Sequence, residues 1–145
     1  DIVKLISECI ENAGISSNRH NVIYNGLPEI NVFADEEKIT LVLTNLISNA
    51  QKYTPAGGEI NITCELIGER VLIKIKDNGI GISLNDQRNM FQKFFRVENE
   101  QTKFIPGFGI GLYLSSTIVK LHKSQLQVES EIGKGSAFHF SLSLS

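Results

Sequence analysis

The sequence predicts an α+β fold: a two-layer α/β sandwich whose mixed, mostly antiparallel sheet of about five strands is covered on one face by about three helices. Two patterns carry this. Ile60, Ile62, Cys64 and Leu66 alternate with Asn61, Thr63 and Glu65, and Phe138, Phe140, Leu142 and Leu144 alternate with His139, Ser141 and Ser143. Such alternation describes sheet strands with one wet face. Three other segments carry apolar residues at spacings of three and four, the stripe a helix presents to a core, and these supply the cover for the dry face. At 145 residues the chain is long enough for one domain with a sizeable core, and 1–145 is read as a single domain.

The elements follow in order. Ile2, Leu5, Ile6, Cys9, Ile10 and Ala13 form a helical stripe that stops at Gly14. Residues 21–25 read as a strand and 32–34 as a short one. Residues 35–54 read as one helix, with Ile39, Val42, Leu43, Leu46, Ile47 and Ala50 facing the core. Asp35 is the expected N-cap, Glu36 and Glu37 complement the helix dipole, and Pro55, Gly57 and Gly58 end the run. Strands 59–67 and 70–76 flank a hairpin turn at Gly68. Ile110, Leu114, Ile118 and Leu121 mark a last helix, and two further strands, 126–132 and 138–144, flank a turn at Gly133 and Gly135. No repeats or low-complexity segments interrupt the chain.

Composition excludes some functions. The formal net charge is −2, so there is no basic footprint for nucleic acid. Cys9 and Cys64 fall in apolar phases and read as buried thiols, not a disulfide or metal pair. No apolar run is long enough to span a membrane, and direct membrane contact is not expected. The chain begins at Asp1 without an initiator Met and reads as a piece of a longer protein.

Three segments carry chemistry. Asp77, at the end of a strand, is followed by Gly79 and Gly81. The carboxylate can accept from an exocyclic amine, and glycines let backbone approach a flat ring, which suits a purine pocket. The same residues are also tight-turn chemistry. On the 35–54 helix, Asn45 and Asn49 share a face with Lys52 and Tyr53 one turn later. Two amides, an ammonium and a phenol in a row suit a magnesium ion and a phosphate chain, since magnesium takes hard oxygen ligands and keeps several waters. The bland alternative is a solvated helix face, although Asn is a poor mid-helix residue. Gly107, Gly109 and Gly111 lie at the start of the last helix, where free amides and the dipole make an anion site. Glycine spacing alone is weak evidence, and no strand directly precedes it, so the dinucleotide-binding fingerprint is not met.

Taken in order, these segments resemble the ATP-binding catalytic domain of sensor histidine kinases, in the superfamily of DNA gyrase, the ninety-kilodalton heat-shock chaperone and the mismatch-repair ATPase. The resemblance covers essentially the whole chain. Asn45 to Tyr53 resembles the N box, Asp77 to Ile82 the first glycine box, Phe91 to Arg96 the F box, and Gly107 to Leu112 the second glycine box. The resemblance implies a Bergerat-type ATP-binding fold, with ATP and Mg2+ as cofactors. Asn45, Lys52 and Arg96 would be catalytic, and Asn45 and Asn49 would ligate the metal. Asp77 would read the adenine amine. Gly79, Ile80, Gly81 and Ile82 would shape the base pocket. Asn49, Tyr53, Phe94, Gly107, Phe108, Gly109, Ile110, Gly111 and Leu112 would contact the rest of the nucleotide. Residues 83–106 would form a lid over ATP.

The implied reaction is transfer of the γ-phosphate to a histidine of a separate dimerisation and phosphoacceptor domain of the same parent. A response-regulator receiver domain would be an indirect partner. The expected location is cytoplasmic, with a parent that can be membrane-anchored. His20, His122 and His139 are followed by Asn21, Lys123 and Phe140. None has the acidic neighbour of the family's acceptor. Two departures stand out. Phe108 occupies a position usually small. Leu41, four residues before Asn45, stands where hydrolysing relatives place a Glu to activate water, which argues against efficient hydrolysis. An ATP-hydrolysing conformational clamp and a degenerate nucleotide-binding scaffold remain as alternatives; Leu41 counts against the first and Phe108 favours the second.

Overall fold

Strand β6 (Gly135–Leu144) organises the sheet. Strand β4 (Arg70–Asp77) runs antiparallel along one of its edges, from the Arg70–Ser143 pair to the Asp77–Ser136 pair. Its other edge is shared: β5 (Gln127–Glu131) pairs with the first half and β2 (Val32–Phe33) with the last residues, both antiparallel. Strand β3 (Glu59–Ile67) pairs antiparallel with β4, and β1 (Asn21–Gly26) adds the parallel pair along β3. The strand order is β1-β3-β4-β6-β2, with β5 beside β6. The computed structural model describes residues 1–14, 19–105, 107 and 109–145.

Four helices accompany the six strands: α1 (Ile2–Gly14), α2 (Glu36–Tyr53), α3 (Leu84–Asn89) and α4 (Gly111–Leu121). The sheet's dry face holds Ile60, Ile62, Cys64, Val71, Ile73, Ile75, Phe138, Phe140 and Leu142, all buried in one cluster with residues of α1, α2 and α4. Each such side chain contributes about 1.5–3 kcal/mol by leaving water, so this layer sets the frame in which the loops sit. Cys9 and Cys64 are buried free thiols, as expected.

Helix α2 begins where the sequence places it. The Asp35 side chain accepts from the Lys38 amide, and Glu36 and Glu37 fill the first turn. It runs antiparallel to α4 and is tied to it at two levels. The Asn45 Nδ2 donates to Ser115 Oγ at 3.0 Å. At the other end His122 Nδ1 donates to its own helix at Ile118 O (2.8 Å), which leaves Nε2 to accept from the Asp35 amide at 3.0 Å.

Two sequence expectations need correction. Helical spacing predicts an apolar stripe on Ile110, Leu114, Ile118 and Leu121 for the last helix, but the buried positions are Ser115, Ser116, Ile118 and Val119, while Leu114 and Leu121 are exposed. The small Ser115 turns inward because it partners Asn45, and that rotates the leucines outward. The helix itself starts only at Gly111, so Gly107 and Gly109 belong to the loop before it. The segment after Asp77 also contains α3, whose Ser83 Oγ accepts from the Asp86 amide at 3.2 Å and donates to its carboxylate at 2.8 Å. A Ser and an acid three apart is a helix-start signal.

Candidate functional site

A cavity of about 320 Å³ opens between the C-terminal half of α2, the end of β4, the start of β6 and the loops on either side of α3. One end of it is strand-built. Asp77, at the last position of β4, is 5% exposed. Its Oδ1 accepts from the Gly79 amide at 2.9 Å and the Ser136 amide at 3.3 Å. Burial raises the carboxyl pKa, and the two amides act against that rise. Oδ2 has no hydrogen-bond partner among the described residues and is not fully enclosed, and Asp77 lines the cavity. A flat ring entering here meets an aimed acceptor with apolar walls from Ile80, Ile82, Met90 and Phe138.

Gly81 shows why this turn takes glycine. Its φ is +75°, and an added Cβ would meet the Glu131 carbonyl oxygen and lie 2.9 Å from Ile132 Cα. The loop is thereby laid flat on the β5–β6 turn, where the Gly133 amide donates to Ile80 O at 2.9 Å.

The opposite end is polar. Asn45, Asn49, Lys52 and Tyr53 all line it from α2, as their spacing implied. Facing them is the start of α4, where Ile110 caps without any side-chain hydrogen bond. Among the described residues no side chain caps the first amides of that helix, so they can meet an anion with the helix dipole behind them. Gly111 lets the two helices close: a Cβ there would collide with Asn45 Oδ1. The Asn45 carbonyl oxygen thus lies beside the helix start while its amide nitrogen is held by Ser115. Burial raises the Tyr53 pKa, and the nearby Arg96 charge opposes this.

Between the ends lies the segment from Ser83 to Ile105. Arg96 lines the cavity and its Nη2 donates to Ile105 O, closing a loop on itself. Thr102, 1% exposed, donates from Oγ1 to Val97 O at 2.7 Å. The Phe94 amide donates to Gly109 O at 2.8 Å, which docks this segment on the glycine loop.

Of the residues singled out by sequence, Asn45, Asn49, Lys52, Tyr53, Asp77, Ile80, Gly81, Ile82, Arg96, Gly107, Gly109, Ile110, Gly111 and Leu112 line this one cavity. Gly79 and Phe94 do not. Gly79 sits behind the wall, packed on Tyr53 O, where its amide fixes Asp77. Phe94 adopts φ 67° and points outward at 64% exposure, so that Phe95 takes the inner position. Phe108 and Pro106 lie outside the described residues. Reasoning from sequence missed Ala50, Met90, Phe95, Val97, Thr102, Ser136 and Phe138 on the wall. Leu41 is exposed on α2 and is not on that wall.

Residues 34–145 match the family described as histidine kinase-, DNA gyrase B- and HSP90-like ATPase. The chain belongs to that family, and its fold is that of the ATP-binding catalytic domain of sensor histidine kinases. Among relatives, it is 34% identical over 145 residues to the sensor histidine kinase WalK of Bacillus subtilis (strain 168), covering 97% of this chain and 24% of that protein. It is 44% identical over 117 residues to the adaptive-response sensory kinase SasA of Synechococcus sp. (strain JA-2-3B'a(2-13)), covering 80% of this chain and 30% of that one. The chain thus spans a quarter to a third of the relatives it matches. Among solved structures, a mycobacterial sensor histidine kinase, MprB, superposes with a TM-score of 0.87 at 24% identity, over 99% of this chain and 95% of that chain. No helix among the described residues is long and apolar enough to cross a membrane.

Proposed function

We propose that this chain binds ATP with magnesium and, within a longer parent, delivers the γ-phosphate to a histidine of a separate helical dimerisation domain. One observation carries the reading: a single cavity joins an aimed carboxylate acceptor, Asp77, to an uncapped helix start faced by Asn45, Asn49 and Lys52. The separation of an amine-reading end from an anion-binding end is what a nucleoside triphosphate requires. The Asn45 and Asn49 amide oxygens suit a hard cation that takes its remaining ligands from phosphate and water, and no denser set is offered, since no group of three or more His, Cys, Asp or Glu is gathered among the described residues. When bound, magnesium neutralises phosphate charge; Lys52 and Arg96 add to that neutralisation from the protein side. A structure of similar fold, full-length ShkA, is a complex with AMPPNP, which supports the nucleotide assignment here.

Transfer is favoured over hydrolysis by the cavity's acids. Among the described residues Asp77 is the one carboxylate on the wall, and it sits at the base end. A water-activating base beside the phosphates is lacking there, so the acceptor has to bring its own. The outward face of α4 supports a docking partner. Ile110, Tyr113 and Leu114 are 40%, 39% and 43% exposed next to the cavity, with Phe94 nearby, and apolar exposure of this kind suits a helical surface bearing the histidine. A response-regulator receiver would then act one step later, on the phosphorylated histidine, in the cytoplasm. The residues from 83 to 106 would serve as the lid and 1–145 as one folding unit.

The test uses labelled ATP. The chain alone is expected to bind nucleotide, release phosphate very slowly and stay unlabelled. Added to the histidine-bearing domain of its own parent, it labels that domain with an acid-labile bond. Steady phosphate release by the chain alone would instead support an ATP-driven clamp, and labelling of the chain itself would contradict the division proposed here.

A further inference from the structure

Ser130, in β5, does not line the cavity, but it is the cross-strand partner of Ser136 and its hydroxyl meets three groups beside the strand-built end. Its Oγ accepts from the Ile82 amide at 2.8 Å. It also lies 2.8 Å from Gly135 O and 2.7 Å from Ser136 Oγ. A serine hydroxyl has one proton and two lone pairs. The amide takes one lone pair. The Gly135 carbonyl has no proton to give, so it must receive the one that Ser130 owns. All three contacts are satisfied only if Ser136 is the donor to Ser130. The proton of Ser136 is then turned away from the cavity, and its lone pairs are left to face it.

Ser136 is the cross-strand partner of Asp77 and lines the same cavity. Paired residues of adjacent strands place their side chains on one face, about 4.5–5.5 Å apart. The base end therefore presents two acceptors side by side: the free Asp77 Oδ2 and the Ser136 hydroxyl oxygen. A 6-amino purine can offer two protons to such a pair. A 6-oxo purine would set its carbonyl against two acceptors.

Resting on the nucleotide reading above, we propose that Ser130 is a specificity-determining positioning residue: by taking the Ser136 proton it keeps the base end acceptor-only, and so selects a 6-amino over a 6-oxo purine nucleotide. Without Ser130, the Ser136 hydroxyl turns and donates to a 6-oxo group.

The test is calorimetric titration of the chain with ATP and with inosine triphosphate, which replaces the amine by a carbonyl. Wild type is expected to favour ATP by roughly tenfold or more, the effect of opposing a buried acceptor to an acceptor. Ser130→Ala should narrow that ratio by about fivefold or more, chiefly by improved inosine triphosphate binding. Ser130→Thr, which keeps the hydroxyl, should restore it. In a Ser136→Ala background, Ser130→Ala should leave the ratio where it is. A purely structural Ser130 would weaken both nucleotides equally and leave the ratio unchanged in every variant, which overturns the proposal. If Ser130→Ala does not fold, Ser130→Cys, which weakens both the donor and the acceptor at similar shape, is read by the same ratio. Failure of wild type to bind ATP at all would overturn the nucleotide reading itself, and is separable from a wild type that binds both nucleotides equally.

Discussion

The two ends of the cavity are built from different material. The base end hangs on paired strands: Asp77 and Ser136 are register partners, and Gly81 lies flat on the β5–β6 turn. The opposite end is built from two helix segments and a loop: Asn45 bonds to Ser115 across the helices, and the bare backbone of Gly111 and Gly109 lets the segments approach. Ladder hydrogen bonds fix position before any ligand arrives, whereas loops carry the low-stability openings of a fold. Under the function proposed above this becomes a division of labour: the strand-built end would select, and the loop-built end would close.

The largest effect expected from breaking this contrast is at its glycines. Gly81→Ala places a Cβ against backbone of a paired turn at φ +75°, and thermal and denaturant unfolding should report a loss of about 3 kcal/mol or more. Gly109→Ala has a similar φ of +73° and would meet Phe94 and Phe95 backbone at 2.7 Å, but its neighbours belong to a loop that can yield. Its loss should be nearer 1–2 kcal/mol, with ATP affinity falling more than stability. Equal losses at the two sites would erase the contrast.

Next comes Asp77→Asn. The amide can present a donor to the base amine, and ATP affinity should fall about tenfold or more with the fold intact, since an unpaired buried group costs about 1–3 kcal/mol. Unchanged affinity by calorimetry would remove Asp77 from the base end. Asn45→Ala probes the other end. It should weaken ATP binding with magnesium several-fold more than ATP binding in a chelator, and equal losses in the two conditions would assign Asn45 to packing against Ser115 alone.

The smallest effect is the pH dependence of the empty chain. Burial raises the folded-state pKa of Asp77 above the ordinary value of 3.8. A group of this sign stabilises the fold most below its unfolded pKa, and that contribution is lost as pH rises through the folded value. The apo stability of Asp77→Asn relative to wild type should therefore improve as pH rises above the ordinary carboxyl value of 3.8. A stability of Asp77→Asn that falls relative to wild type as pH rises would contradict the burial of an ionised Asp77.

Much of this was legible in the sequence because it depended on local pattern. The α2 stripe, its Asp35 cap and the spacing of Asn45, Asn49, Lys52 and Tyr53 follow from helical periodicity alone. Ser136 was not legible, because its place beside Asp77 depends on the β4–β6 register, and register joins residues far apart in the chain. The inward turn of Ser115 was hidden for a related reason. A hydrophobic stripe predicts leucines inward, and a polar contact from α2 overrode it. Phe95 replaced Phe94 on the wall because of one positive φ, which no periodicity encodes. Helix α3 is legible in principle, since Ser83 and Asp86 are a start signal, but the mostly polar stretch around them has no apolar stripe to mark it.

Amide hydrogen exchange with and without magnesium and a non-hydrolysable ATP analogue tests the central claim most directly. In the empty chain, amides of β4 and β6 should exchange slowly and those of residues 83–105 rapidly. The analogue should slow the 83–105 amides and those at the start of α4 while leaving β4 and β6 as they were. Strong protection of 83–105 before nucleotide is added, or no change there after it is bound, would contradict an end that selects and an end that closes.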